Sequence, residues 1–281
     1  MLCVINLAAA LAVSMVVADA SVDCEADTVV CGTGKMHTET FDLGRNSLPL
    51  NLQVNSTGGA EVVVVKGTQN QIVWQIDQGY AKQMKLTGRR AVLYNKNVAM
   101  AYGEMFTKDD KKTVKMQFHC PEELKCANKV TFVVASLSGV YQFDDGPVSS
   151  DAQWQAYGLR LENYGKSAIS LRVKTGQLSV VAYTGTFKLQ GETYVLKVQQ
   201  RSEAPVDLTS LKASIAMVKI KPPKPYDLRF KKPYPPRGLL GVNADPYLVV
   251  DFQHKGSVGY LGSPRVDYNN IPGGKVFKLE K

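Results

Sequence analysis

Along most of the chain, apolar residues occur in short runs or alternate singly with polar ones, and Gly, Asn, Asp and Pro separate the groups. A period of two places one set of side chains on each face of an extended strand, whereas a surface helix needs a stripe of period 3.6. Residues 168–174 show the rule: Ile169, Leu171 and Val173 alternate with Ser170, Arg172 and Lys174, so one set points inward and the other toward water. The same reading predicts strands at 50–54, 61–65, 71–76, 82–86, 91–94, 113–118, 130–137, 157–161, 168–173, 178–183, 186–189, 194–198 and 247–252. Many short strands with turn residues between them predict sandwiches or barrels.

Residues 80–93 (YAKQMKLTGRRAVL) and 183–196 (YTGTFKLQGETYVL) share Tyr, Lys-Leu, Gly and Val-Leu at a constant offset of 103 positions. A period near 100 residues is the size of one sandwich domain, and the chain is close to two domains long. The expected fold is therefore all-β, with two tandem antiparallel β-sandwich-like domains and a Pro-rich basic C-terminal extension. The first domain is placed at 21–140 and the core of the second at 141–218. An arm at 219–237 follows, then strands and an irregular tail at 238–281 packing on the second domain. The boundary falls in SGVYQFDDGPVSS at 138–150, which mixes turn residues with a Pro.

Residues 1–20 read as a signal peptide cleaved after Ala20, because an apolar run closes on Ala18-Asp19-Ala20. No Lys or Arg precedes the run, and Asn6 and Ser14 interrupt it. No later stretch reaches the roughly 18 consecutive apolar residues of a membrane-spanning helix. The expected location is secreted and extracellular. Cleavage removes Cys3 and Asp19, which leaves four cysteines and moves the formal charge from +9 to +10.

Four cysteines suit an oxidising compartment. Cys24 and Cys31 enclose EADTVV, and Cys120 and Cys126 enclose PEELK, so two local disulfide loops are the simplest connectivity. Each stabilises by about 2.5 kcal/mol in the chain-entropy model. Cross-pairing, which staples the N-terminus to the 120–126 loop, is the other arrangement. These spacings exceed the two to four residues usual between zinc-ligand pairs. Asn55-Ser56-Thr57 is a glycosylation acceptor within the turn-like stretch NSTGG, and Asn55 is expected to carry a glycan.

Charge is segregated: residues 201–281 hold 14 Lys or Arg against 7 Asp or Glu, and ten of the thirteen prolines. Within them, 219–237 reads KIKPPKPYDLRFKKPYPPR. Repeated Pro blocks helix and central-strand pairing, so an extended polyproline-like arm is expected. Tyr226, Phe230 and Tyr234 interleave with its cations. Lys221, Lys224, Arg229, Lys231, Lys232 and Arg237 are the candidate anion-binding residues. Their partner would be an acidic glycan, an anionic membrane surface, an acidic protein or mineral, because secretion points away from nucleic acid. A Pro-stiffened linker whose aromatics pack on the second domain is the competing account. In composition alone, the Lys, Tyr and Pro mixture resembles segments of extracellular adhesive and matrix proteins.

Catalytic signatures are missing. Gly165-Lys166-Ser167 ends like a phosphate-binding loop, but Arg160 stands where that motif needs Gly, and Gly32-Thr33-Gly34 is followed by His37 in place of a third glycine. His37, His119 and His254 are isolated in sequence. The doublets Asp109-Asp110, Glu122-Glu123 and Asp144-Asp145 read as turn residues, since neighbours on a strand point to opposite faces. Asp144, Asp145 and Asp151 lack the spacing of an EF-hand calcium loop. Trp74 and Trp154 read as core residues, with sugar stacking as the alternative. No cofactor and no metal ligand set is predicted. The leading expectation is a non-catalytic extracellular binding or structural protein of matrix or coat type. The alternatives are a membrane-active toxin inserting 168–173 and 178–183 as a hairpin, and a hydrolase whose residues converge only in the fold.

Overall fold

The computed structural model describes residues 29–44, 48–55, 57–82, 84–93, 96–105, 117–119, 124, 126–201, 203–222 and 238–280. Apolar side chains at every second position can be buried by stacking equivalent positions of successive strands, and this is the arrangement adopted. Strands β11 (Val148–Asn163), β12 (Ala168–Ala182), β13 (Thr186–Gln200), β14 (Val206–Ile220) and β15 (Leu239–Phe252) are each hydrogen-bonded in parallel to the next. Strands β16 (Gly256–Leu261) and β17 (Arg265–Tyr268) both pair with β15, and β18 (Gly274–Lys278) pairs with β16. The repeat is short: Ile169 lies opposite Phe187, Leu159 opposite Leu178 and Val198 opposite Val218, spacings of 18 to 20 residues.

The chain is thus all-β, as expected, but its strands stack as the rungs of a parallel solenoid and not as antiparallel sandwiches. A β-sandwich and a solenoid with one buried face give the same alternation along each strand, and only the partner differs. Residues 80–93 and 183–196, aligned in sequence as a duplication, occupy different structures. The first spans the single helical turn α1 (Gln78–Ala81) and β6 (Met84–Leu93), and the second a turn and β13.

In β11, β12 and β13 the inward positions change parity once. In β12 they run Ile169, Leu171, Val173 and Thr175, then Leu178, Val180 and Ala182. That slip marks a corner between two strand segments, and it explains why 168–173 and 178–183 read as separate strands. Both segments pair with neighbouring rungs in parallel and not with each other, so the inserting hairpin of the toxin reading is not formed. Residues at equal positions form columns through the core, such as Leu178, Leu196, Ala216 and Leu248, or Val180, Val198, Val218 and Val250. Each fully buried Leu or Val stabilises by about 1.5 to 3 kcal/mol before entropic costs.

The first rungs use β3 (Leu50–Asn55), β4 (Glu61–Lys66), β9 (Asn128–Val134) and β10 (Leu137–Gln142), with β10 bonded in parallel to β3 on one side and β11 on the other. The sheet therefore runs without interruption through the boundary expected at 140/141. Antiparallel pairs lie at the N-terminal end of the stack: β5 (Gln71–Asp77) joins β2 (Met36–Asp42) and β9, while β6 joins β7 (Lys96–Met105). A separate two-stranded sheet pairs β1 (Val29–Cys31) with β8 (Gln117–His119). At the other end, the region expected at 238–281 to combine strands with an irregular tail carries β16, β17 and β18 beyond β15.

Candidate ligand-binding corner

Every rung must turn back on itself after its second strand segment, and the turn leaves backbone carbonyls that need donors. Buried amide side chains supply several of them. Gln142 Nε2 donates to Gly146 O at 2.6 Å, Asn163 Nδ2 to Ser167 O and Thr186 O at 2.7 and 2.9 Å, and Gln200 Nε2 to Ala204 O and Gly238 O at 3.3 and 3.1 Å. These amides end their rungs at equivalent positions, so the residue after each is held in register with the next.

Those following residues form an outer column. The N–H groups of Tyr164, Tyr183, Arg201 and Lys221 donate to Gln142, Asn163, Ala182 and Gln200 carbonyls at 2.8 to 2.9 Å. The Phe143 and Tyr164 rings stack at 4.6 Å between centroids, and Tyr164 and Tyr183 at 3.9 Å. Arg201 Cζ then lies 5.8 Å from the Tyr183 ring, and its Nη1 donates to Pro222 O at 3.1 Å. Three aromatic planes are therefore continued by two cationic residues, one per rung. Tyr164 OH donates to Glu162 Oε2 at 2.7 Å, and Glu162 also pairs with Arg160. Burial first, then hydrogen bonding with Glu162 and Tyr183 and the Glu162 charge, raise the Tyr164 phenol above the usual tyrosine range.

The basic Pro-rich segment begins at this corner. The chain leaves β14 at Ile220 and rejoins the stack at Leu239, whereas the same corner is closed elsewhere by residues 183–185 or 253–255. Of the predicted anion-binding residues, Lys221 is placed, half-buried beside Arg201. Lys224, Arg229, Lys231, Lys232 and Arg237 lie outside the described residues, as do the aromatics Tyr226, Phe230 and Tyr234. Sequence reasoning missed Phe143, Tyr164, Tyr183 and Arg201. Their signal is an aromatic or cationic residue next to the polar residue or Ala that ends each rung, recurring every 18 to 21 positions.

The other candidates are structural. Trp74 and Trp154 are 0% and 1% exposed, and Trp154 Nε1 donates to Ser150 Oγ at 2.9 Å, so neither indole is open to a sugar. Asp144 accepts from Thr57 and Gly59, and Asp145 accepts from Lys166 N–H, which makes both turn-fixing carboxylates. Asp151 is exposed, Asp109-Asp110 and Glu122-Glu123 lie outside the described residues, and among the described residues no group of three His, Cys, Asp or Glu is placed to hold a metal. His37 faces Glu39 at 3.1 Å, while His254 is half-buried with its Nδ1 3.1 Å from Lys255 O. Cys31 and Cys126 are disulfide-bonded, and Cys24, Cys120 and the leader lie outside the described residues. Asn55 is half-buried at the end of β3. No described helix is long and apolar enough to cross a membrane.

The solenoid is similar to solved structures at low sequence identity. A protein described as a putative adhesin from Bacteroides fragilis superposes with a TM-score of 0.64 at 14% identity, over 89% of this chain and 100% of that one. A putative adhesin from Parabacteroides distasonis gives 0.56 at 13% identity, again over 89% and 100%. A protein from the same organism described as a putative lipid binding protein gives 0.54 at 12% identity, over 90% and 100%. These likenesses establish the shared fold. No curated protein shows significant sequence similarity to the chain. The model of the family described as "Putative auto-transporter adhesin, head GIN domain" matches residues 52–222, more than half of the sequence, and the chain belongs to that family.

Proposed function

We propose that this is a non-catalytic, extracellular adhesin-type protein that holds an anionic polymer or surface against one corner of its solenoid. The observation that carries this reading is the ladder Tyr183, Arg201, Lys221, whose cationic end is the point from which the basic arm leaves the stack. A rigid parallel stack fixes the root of the arm, and a Pro-rich segment loses little entropy on docking because its backbone is already restricted. Arg201 and Lys221 would then extend the cationic surface of Lys224, Arg229, Lys231, Lys232 and Arg237. Membership in an adhesin-described family and a fold shared with two adhesin-described structures support the adhesin-type part of the reading. Secretion through residues 1–20, a glycan on Asn55 and disulfides among Cys24, Cys31, Cys120 and Cys126 complete the proposal.

The test is binding to immobilised heparin and to phosphatidylserine vesicles over 0.05 to 0.5 M salt, with the six arm cations changed to Gln. The native chain should bind at low salt and release as the Debye length shortens from about 14 to 4 Å. The variant should lose most of that binding, whereas binding indifferent to salt or to the six substitutions contradicts the proposal.

A further inference from the structure

We propose a second binding site, for a neutral oligosaccharide chain, at the opposite corner of the solenoid from the basic arm. The pairs Ala156 with Thr175 and Gly158 with Gln177 place Tyr157 opposite Gly176. The pairs Thr175 with Thr193 and Gln177 with Val195 place Gly176 opposite Tyr194. Tyr157 and Tyr194 thus stand two rungs apart, about 9.5 Å at the usual interstrand spacing, with a glycine between them. They are 94% and 63% exposed, whereas no other Phe, Tyr or Trp among the described residues is more than half exposed. Each sugar ring of an extended 1,4-linked chain advances by close to one interstrand spacing. The two phenol rings are therefore placed to pack against alternate sugars, and Gly176 puts no side chain between them, where a Cβ would stand 3.6 Å from Tyr157 Cδ2.

Tyr194 also lines a groove of about 500 Å³ that continues along the same corner past Ser214 to Asp245 and Gly262. The groove forms where the rung ladder slips register, between Lys188 and Gly191, Leu208 and Lys212, and Ala213 and Ile215. Such bulges re-aim side chains and break the outward alternation. Its charges balance: Lys174 Nζ pairs with Glu192 Oε1 at 2.6 Å, Glu192 lies in register with Lys212, and Asp245 stands at the far end. Two cations and two carboxylates, with the Ser214 and Tyr194 hydroxyls, offer donors and acceptors together. Sugar hydroxyls require both, whereas an anionic polymer would meet the two carboxylates. Aromatic stacking with balanced polar contacts favours an uncharged glycan, so this site is independent of the anion-binding reading of the arm.

The test uses defined neutral hexasaccharides (cellohexaose, mannohexaose and chitohexaose) titrated into the full chain by calorimetry at 0.15 and 1 M NaCl. At least one should bind with an affinity that high salt leaves within about twofold, since no net charge is neutralised. Tyr157→Ala and Tyr194→Ala should each weaken it by about tenfold, the loss of one stacked ring. Both tyrosines are exposed, so unchanged melting temperatures confirm that the variants are folded. Neutralising the six arm cations should leave this binding intact. Failure of all three hexasaccharides to bind, binding unaffected by both tyrosine substitutions, or binding abolished by the arm variant each overturns the proposal.

Discussion

The Oγ1 hydroxyl of Thr57 donates to the Asp144 carboxylate at 2.6 Å, which joins two turns 87 positions apart in sequence. The Thr57 and Gly59 backbone N–H groups donate to the same oxygen, and Thr57 is fully buried. One carboxylate therefore fastens the turn after β3 to the turn after β10, two strands that pair in parallel.

Removing that acceptor leaves a buried hydroxyl and N–H groups without a partner. Asp144→Ala should cost about 2 to 4 kcal/mol, and Asp144→Asn, which keeps one acceptor oxygen, clearly less. Urea denaturation of the two variants measures the difference, and equal losses would show that the carboxylate is not the fastening.

Two glycines two rungs apart, Gly158 in β11 and Gly191 in β13, should respond in opposite ways to an added methyl. Gly191 has φ +112°, and a Cβ there would stand 2.0 Å from Val173 O, so Gly191→Ala meets both backbone strain and a clash with an immovable carbonyl. It should destabilise by more than about 1 kcal/mol. At Gly158 a Cβ meets nothing within 4 Å. Gly158→Ala should be neutral or stabilise by up to about 1 kcal/mol, through the entropy of the unfolded chain. Thermal melts of both variants decide this.

Strand positions were legible because inward Ile169, Leu171 and Val173 alternate with polar neighbours whatever lies above and below them. The partner strand was not legible, since the same letters serve an antiparallel sandwich and a parallel rung. Strand β14 escaped notice because its inward set, Val206 and Leu208, then Leu211 and Ala213, then Ala216, Val218 and Ile220, slips parity twice. The ladder at the arm root was hidden for a related reason. Tyr164, Tyr183 and Arg201 look like unrelated turn residues until an 18-to-21-residue repeat sets them one above another. The acidic doublet at Asp144-Asp145 was readable as turn chemistry, because a short carboxylate next to Gly146 commonly accepts from local N–H groups.

Tyr164 should make stability fall at high pH. Its phenol is held above the ordinary value by burial and by the bond to Glu162, so the folded state keeps the proton longer than the unfolded one. Below about pH 10 both states are protonated and the contribution is fully present. As pH rises beyond that, the unfolded phenol ionises first and stability is lost. Chemical denaturation at pH 8 and pH 11 should show a smaller drop for Tyr164→Phe than for the native chain. An equal drop would assign the effect elsewhere.

The disulfides are expected to join the N-terminal segment to the 120–126 loop. Strand β1 pairs with β8 so that Cys31 lies beside His119, next in sequence to Cys120, and a Cβ on Gly32 would stand 2.2 Å from Cys126 Sγ. A two-stranded sheet of three residues per strand is too small to persist unaided. Non-reducing peptide mapping should recover peptides from residues 21–35 linked to peptides from 117–127. Two separate local loops, Cys24 with Cys31 and Cys120 with Cys126, would contradict this.

The most direct measurement is made on a chain in which residues 223–237 are replaced by a turn as short as 183–185, which closes the same corner two rungs earlier in the stack. Because the columns of the solenoid are built from residues of β11 to β15, the shortened chain should keep its β-rich circular dichroism and melt within a few degrees of the native protein. It should also lose salt-sensitive binding to heparin and to phosphatidylserine vesicles. Undiminished binding by the folded, shortened chain would contradict the account of the arm as the anion-engaging element.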